Sequence, residues 1–192
     1  VLLTASLSAT LPLSAASHVD VVKMRTENRV NPLGIGTSTP RFSWQITSDR
    51  KGVVQTSYQI LVASSKEKLD RNEADLWDSG ERNSDEQLWI PYQGKALLSG
   101  AQAYWKVRIT TNKGKSEWTE PQLFTIGLLG ETKWSGTWIG LEDLQPGEQK
   151  GMHTRLAARY IRKDFATKGK VKRAVAYVAG LGVYEFYVNG QR

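Results

Sequence analysis

Tyr104-Trp105-Lys106-Val107-Arg108-Ile109-Thr110-Thr111 is the stretch that decides the fold. Successive side chains of a strand point to opposite faces. Trp105, Val107 and Ile109 therefore share one face, and Lys106, Arg108 and Thr110 share the other. The pattern predicts a strand whose apolar side packs inward and whose basic side meets water. Asn112-Lys113-Gly114-Lys115 follows as a hairpin turn, and Gln122 to Ile126 reads as the closing strand. Working back along the chain, Thr56 to Ala63 alternates with Tyr58, Ile60 and Val62 together, and Arg41 to Ile46 does so with Phe42, Trp44 and Ile46. Leu76 to Gly80 and Gln87 to Tyr92 are shorter strands, the latter closed by Pro91, while Lys66 to Ala74 suits one short helical turn. Val19 to Met24 reads as a first strand, and Asn31 to Gly36 as a loop ending at Pro40. Six or seven short strands in about a hundred residues describe an all-β sandwich of immunoglobulin-like or fibronectin type III kind. We place that domain at residues 19–127.

Residues 128–155 read as a linker, with Trp134-Ser135-Gly136-Thr137-Trp138-Ile139-Gly140 inside it and a polar stretch after. A second β region begins at Leu156, with strands expected at Tyr160 to Phe165, Val171 to Ala179 and Val183 to Val188. The last runs into Asn189-Gly190, the strongest short hairpin signal, because a type I′ turn needs φ > 0 at both central residues. Only Gln191 and Arg192 remain to begin a returning strand. The reading therefore expects residues 156–192 to be the incomplete start of a second β-domain in a longer protein.

The chain has no cysteine, so disulfides, thiolate metal sites and a Cys nucleophile are excluded on these 192 residues. Its two histidines, His18 and His153, fall near the N-terminus and in a polar loop, and read as surface residues. There is no run of about 20 apolar residues to span a membrane. Val1 to Ala16 is uncharged and rich in Leu, Ala and Ser. It reads as a partial signal peptide with cleavage after Ala16, and implies export to a periplasm or the medium. The net charge of +7 has a local origin: from Arg155 to Arg192 nine basic residues face two acidic ones, and the rest of the chain is neutral. Lys168-Gly169-Lys170-Val171-Lys172-Arg173 reads as a solvated turn between strands, not a nucleic-acid surface.

No catalytic constellation stands out. Asp85-Glu86 and Glu142-Asp143 are adjacent acids in polar turns, whereas acid/base work on a glycoside needs two carboxylates placed across the scissile bond. No G-x-S-x-G elbow is present. Gly34-x-Gly36 is not a dinucleotide fingerprint, since no third Gly follows at the required spacing and Pro40 interrupts the helix it would need. We assign no catalytic, cofactor or metal residues. Trp44 and Trp105 lie on inward faces and read as core; Trp118, Trp134 and Trp138 lie in less regular segments and are the candidates for stacking on a sugar ring.

Several strings resemble the opening of bacterial α-L-rhamnosidases of glycoside hydrolase family 78. They are Thr26-Glu27-Asn28, Asn31-Pro32-Leu33-Gly34-Ile35, Pro40-Arg41-Phe42-Ser43-Trp44, Gln55 to Ala63, Leu76-Trp77-Asp78-Ser79-Gly80 and Tyr104 to Arg108. Gly127-Leu128-Leu129 with Trp134 to Gly140 is similar to that family's junction, and Lys172 to Gly190 to the start of its N-terminal jelly-roll domain. Gly100-Ala101-Gln102-Ala103 departs from the pattern, where a more aromatic approach to the Tyr-Trp strand is expected. The resemblance implies a fibronectin-like domain, then a jelly-roll domain, then a large (α/α) barrel that holds the catalytic carboxylates. It implies hydrolysis of terminal α-L-rhamnose with inversion, and rhamnose-containing glycans as partners through that barrel. No position here matches the barrel's motif. The resemblance thus makes this chain the non-catalytic N-terminal region of such an enzyme, inactive alone. Two other readings stand beside it: a standalone carbohydrate-binding or adhesion module, and a spacer without ligand. The oligomeric state and the natural glycan are not legible.

Overall fold

The computed structural model describes residues 19–130, 135–140, 144, 146–148, 151 and 158–192 of the chain. The signal-like stretch 1–16, His18, Trp134, Glu142, Asp143 and His153 lie outside the described residues. The chain divides into two units, Val1–Trp134 and Ser135–Arg192.

In the first unit the elements run β1 (Val19–Thr26), β2 (Arg41–Ser48), β3 (Gln55–Ala63), α1 (Lys66–Asp70), β4 (Trp77–Asp78), β5 (Arg82–Asn83), β6 (Ile90–Pro91), β7 (Gln102–Thr111), β8 (Gly114–Lys115) and β9 (Gln122–Thr125). One sheet has the order β1-β2-β6, and the other β4-β3-β7-β8, with β5 also on β3 and β9 on β7. All these strand pairs are antiparallel. The nine strands among the described residues exceed the six or seven expected because two-residue pairings such as β5 are too short to leave a periodic signal. The predicted hairpin turn is tighter than read: Thr111 pairs with Gly114, so Asn112 and Lys113 make the turn and Gly114 already belongs to β8.

The core lies between the two sheets, where the inward faces named from the alternation meet. Phe42 and Trp44 of β2 pack against Tyr58, Ile60 and Val62 of β3 and Trp105, Val107 and Ile109 of β7. The Phe42 ring centre is 4.4 Å from that of Trp105, and Trp44 meets Tyr58 edge-on at 5.3 Å. Burying each large aromatic contributes roughly 2–3 kcal/mol. Part of that offsets the indole N–H of Trp105, which is buried without a hydrogen-bond partner at a cost of about 1–3 kcal/mol.

Motif residues serve the fold. Gln55 is buried, accepts from Trp44 Nε1 (3.0 Å) and donates Nε2 to the carbonyls of Ser84 and Glu86 (3.0 Å each). Ile60 N–H donates to Ser79 Oγ (2.8 Å), and the Ser79 hydroxyl donates to Gly80 O (2.7 Å). Asn31 to Gly36, read as a plain loop, docks along β9. Leu123 N–H donates to Asn31 Oδ1, Thr125 N–H to Pro32 O, Ile35 N–H to Thr125 O and Gly127 N–H to Ile35 O. The pairing at Ile35 and Ile126 is parallel, so it covers an edge that would otherwise present open backbone groups.

The outer face of the larger sheet corrects one expectation. Lys106 points away from the core as predicted, yet it is only 5% exposed. Leu61, Ala63 and Leu69 form a second apolar cluster there, with Trp118 and Tyr104 against it. Helix α1, capped by Ser65, supplies the cover.

In the second unit the three strands expected after residue 156 form no ladder among the described residues; the pairing found there is the Val188–Gln191 bridge. Strand propensity is a preference for a pleated, half-buried surface, and these side chains have none: Tyr160, Phe165, Leu181 and Val183 are exposed. The Asn189-Gly190 turn itself forms as read, with φ of 51° and 77°. Val188 and Gln191 exchange both backbone hydrogen bonds across it (2.8 and 3.0 Å).

Candidate functional site

The tryptophans named from the sequence take different places. Trp118 is half-buried over the outer face of β3 and β7. The Arg108 guanidinium lies 4.4 Å from its ring centre and Lys106 Nζ 5.1 Å. Lys106 also donates to Leu69 O (2.5 Å), a terminal carbonyl of α1, and to Asn72 Oδ1 (2.8 Å). Burial is the leading cause that lowers the Lys106 pKa. Arg108 Nη2 donates to Gln59 Oε1 (3.1 Å). Trp118 is thus a half-buried cover for two cations and an apolar cluster. Trp138 is 69% exposed, in the stretch 135–140 of the second unit. Trp134 lies outside the described residues. Of the three candidates, the two described ones, Trp118 and Trp138, thus belong to different units.

A further tryptophan, not among those candidates, is the more exposed aromatic of the sandwich. Trp89 is 42% exposed and its backbone has φ of 60°. That left-handed conformation is uncommon outside glycine and costs about 1–3 kcal/mol. Trp89 N–H donates to Ser43 Oγ (3.0 Å), and the Arg41 guanidinium stacks 4.0 Å from the ring centre. Arg41 is in turn held by Glu27, through Nε to Oε1 (3.1 Å) and Nη2 to Oε2 (2.7 Å). In the sequence Trp89 lies in the apolar run Leu88 to Tyr92 of an expected short strand, which gives its ring no side.

The carboxylates act as ion partners. Arg41 hydrogen-bonded to Glu27 is the leading cause that holds its carboxyl below the usual range, against burial. The Ser57 and Thr110 hydroxyls do the same for Glu81, with Lys115 beside it, and Arg71 for Glu73. Partial burial pushes the Asp75 pKa up, but hydrogen bonds from Lys68 and from the Ser64 amide and hydroxyl together outweigh it and bring the value to about 2. A glycosidase general acid needs the opposite displacement. Asp85 and Glu86 are exposed, as read. No group of three or more His, Cys, Asp or Glu that could hold a metal occurs among the described residues. No helix among them is long and apolar enough to cross a membrane.

The comparisons with known proteins agree with this architecture. Over 191 aligned residues the chain is 35% identical to an α-L-rhamnosidase of Formosa agariphila, covering 92% of this chain and 20% of that protein. The crystal structure of Streptomyces avermitilis α-L-rhamnosidase complexed with L-rhamnose superposes with a TM-score of 0.60 at 36% identity, over 64% of this chain and 12% of that one. The α-L-rhamnosidase of Dictyoglumus thermophilum gives 0.60 at 34% identity, over 65% and 14%. The chain thus spans about a fifth or less of the length of these relatives. Residues 21–130 match the family model described as the Rha78A-like, N-terminal immunoglobulin domain, and with its two antiparallel sheets closed over Phe42, Trp44 and Trp105 the chain belongs to that family.

Proposed function

We infer that this chain is the non-catalytic N-terminal region of a bacterial α-L-rhamnosidase. The observation that carries the reading is the match of residues 21–130 to an N-terminal domain found at the front of such enzymes, together with similarity that continues over 92% of this chain. The displaced carboxylates support it from the chemical side, since each is tied down as an ion or hydrogen-bond acceptor. The whole protein would hydrolyse terminal α-L-rhamnose from glycans, through residues beyond this chain. An aryl α-L-rhamnoside separates the parts. The purified 192-residue chain leaves it intact, and the whole enzyme cleaves it. Turnover by the 192 residues alone refutes the division of labour.

Two finer readings belong to the same proposal. Residues 156–192 open a β-domain of jelly-roll type, supported by the formed Asn189-Gly190 turn and the strand-like sequence before it. A chain extended past Arg192 then gains slow amide exchange across Val183 to Val188; unchanged fast exchange counts against it. The protein is exported, supported by the uncharged stretch Val1 to Ala16. The mature protein then begins at Ser17, and an N-terminus upstream of Ala16 in the recovered protein refutes export.

A further inference from the structure

Arg41, Ser43 and Gln45 alternate along β2 and so share its outer face. The segment that runs beside them is tied on at two points, Trp89 N–H to Ser43 Oγ and Trp44 N–H to Gln87 O (3.0 Å each). Trp89 and Gln87 are two residues apart, like Ser43 and Gln45. At one end of this strip is the exposed Trp89 with Arg41 stacked upon it. Toward the other end a groove of about 580 Å³ is lined by Gln45, Arg50, Asp85 and Gln87, among others. From Arg41 to Gln45 the strand advances about 13 Å, which is the span of a short oligosaccharide and more than one sugar ring.

We propose that this strip is a binding site for a neutral oligosaccharide, with Trp89 as the stacking platform and Gln45 and Gln87 as the hydroxyl-reading groups. Three observations converge on that chemistry. The indole is held outward on a strained backbone, at φ of 60°, where a glycine would sit without cost. Its neighbour Arg41 is fixed by Glu27 through two of its five N–H groups, which leaves the Nη1 hydrogens for a further acceptor. Gln45 and Gln87 line the groove, and their carboxamides, which have no protein partner among the described residues, each offer both a donor and an acceptor. Charge argues for neutrality: Arg41 is balanced by Glu27, and the groove carries Arg50 and Asp85 together. An anionic ligand would find no net positive field.

The site rests on geometry and stands apart from the enzymatic assignment; only the choice of rhamnose as a probe comes from that assignment. The 192-residue chain is titrated with L-rhamnose, with a neutral rhamnose-ended tetrasaccharide and with maltotetraose, read by tryptophan fluorescence and calorimetry. Saturable binding of a tetrasaccharide, with the single sugar weaker by about tenfold or more, is the expected result. Trp89→Gly removes the platform and relieves the backbone, so binding falls at least about tenfold while the thermal midpoint holds or rises. The Gln45→Ala/Gln87→Ala double variant removes two carboxamides that have no protein partner among the described residues and keeps the backbone bond from Trp44 N–H to Gln87 O, so it weakens binding by a similar factor with the midpoint unchanged. Trp118→Phe leaves binding as it was. Binding of maltotetraose alone keeps the site and counts against the rhamnose assignment. No saturable binding of either tetrasaccharide, or full binding by both strip variants, overturns the proposal.

Discussion

The two units carry similar strand-like sequence and differ in what that sequence meets. In Val1–Trp134, Phe42 touches Trp77, Tyr92, Trp105 and Phe124 and is fully buried. In Ser135–Arg192, Phe165 is 78% exposed and its segment forms no ladder. Alternation supplies a face; a sheet needs a second face to close upon it and a neighbouring strand to take its backbone groups. The lesson is that a β-pattern is a statement about partners.

A matched pair of substitutions separates the two units most strongly. Phe42→Ala should cost about 3–5 kcal/mol, and Phe165→Ala less than about 0.5 kcal/mol, both read from urea unfolding of the 192-residue chain. Equal effects would show that the second unit has a core of its own. Gly94 tests how tightly the first unit closes. A Cβ built there meets Leu76 O and Trp77 Cβ at 2.4 Å and Tyr92 Oη at 2.6 Å. Gly94→Ala must displace backbone and should cost about 3 kcal/mol, at the upper end for overpacking; a loss below about 1 kcal/mol would mean that the adjoining hydrogen bond from Lys95 N–H to Leu76 O (3.0 Å) yields easily. Gln55→Leu comes next. It strands the Trp44 indole N–H and the carbonyls of Ser84 and Glu86, at about 2 kcal/mol in total, visible as a lower denaturation midpoint with the same slope.

The smallest effect is an acid limb. The folded-state pKa of Asp75 is depressed to about 2 from the ordinary carboxylate value of 3.8. A depressed carboxylate stabilises the fold above its unfolded pKa, and that contribution is lost as pH falls from about 4 through about 2. Asp75 is about a third exposed, so the loss is about 1 kcal/mol after screening. Asp75→Asn should flatten stability between pH 4 and pH 2.5, and an unchanged slope would assign the acid limb to other carboxylates.

The inward faces of β2, β3 and β7 were legible because a period of two survives in any strand long enough to show it. The helical turn was legible only as the charged run Lys66 to Ala74; the helix itself is confined to Lys66–Asp70, with Ser65 as its cap. Trp118 could be singled out but not interpreted. Its two cations are near in sequence, yet the cluster it covers comes from Leu61, Ala63 and Leu69, brought together only when α1 folds back over β3. Trp89 was passed over, because sidedness in a short irregular segment depends on which neighbour its backbone leans on, here Ser43, which lies 46 positions away.

Local alternation alone made the first unit an all-β sandwich and placed Phe42, Trp44, Tyr58 and Trp105 in its core, whereas Trp77, Tyr92 and Phe124 join them through tertiary contacts. The sequence also determined the Asn189-Gly190 turn, which needs nothing beyond its own two residues. Tertiary contacts alone set the burial of Lys106, the docking of Asn31 to Gly36 along β9, and the greater exposure of Trp89 than of Trp118. Each of those is set by contacts between segments far apart in the chain, and no local period encodes which distant segment will arrive.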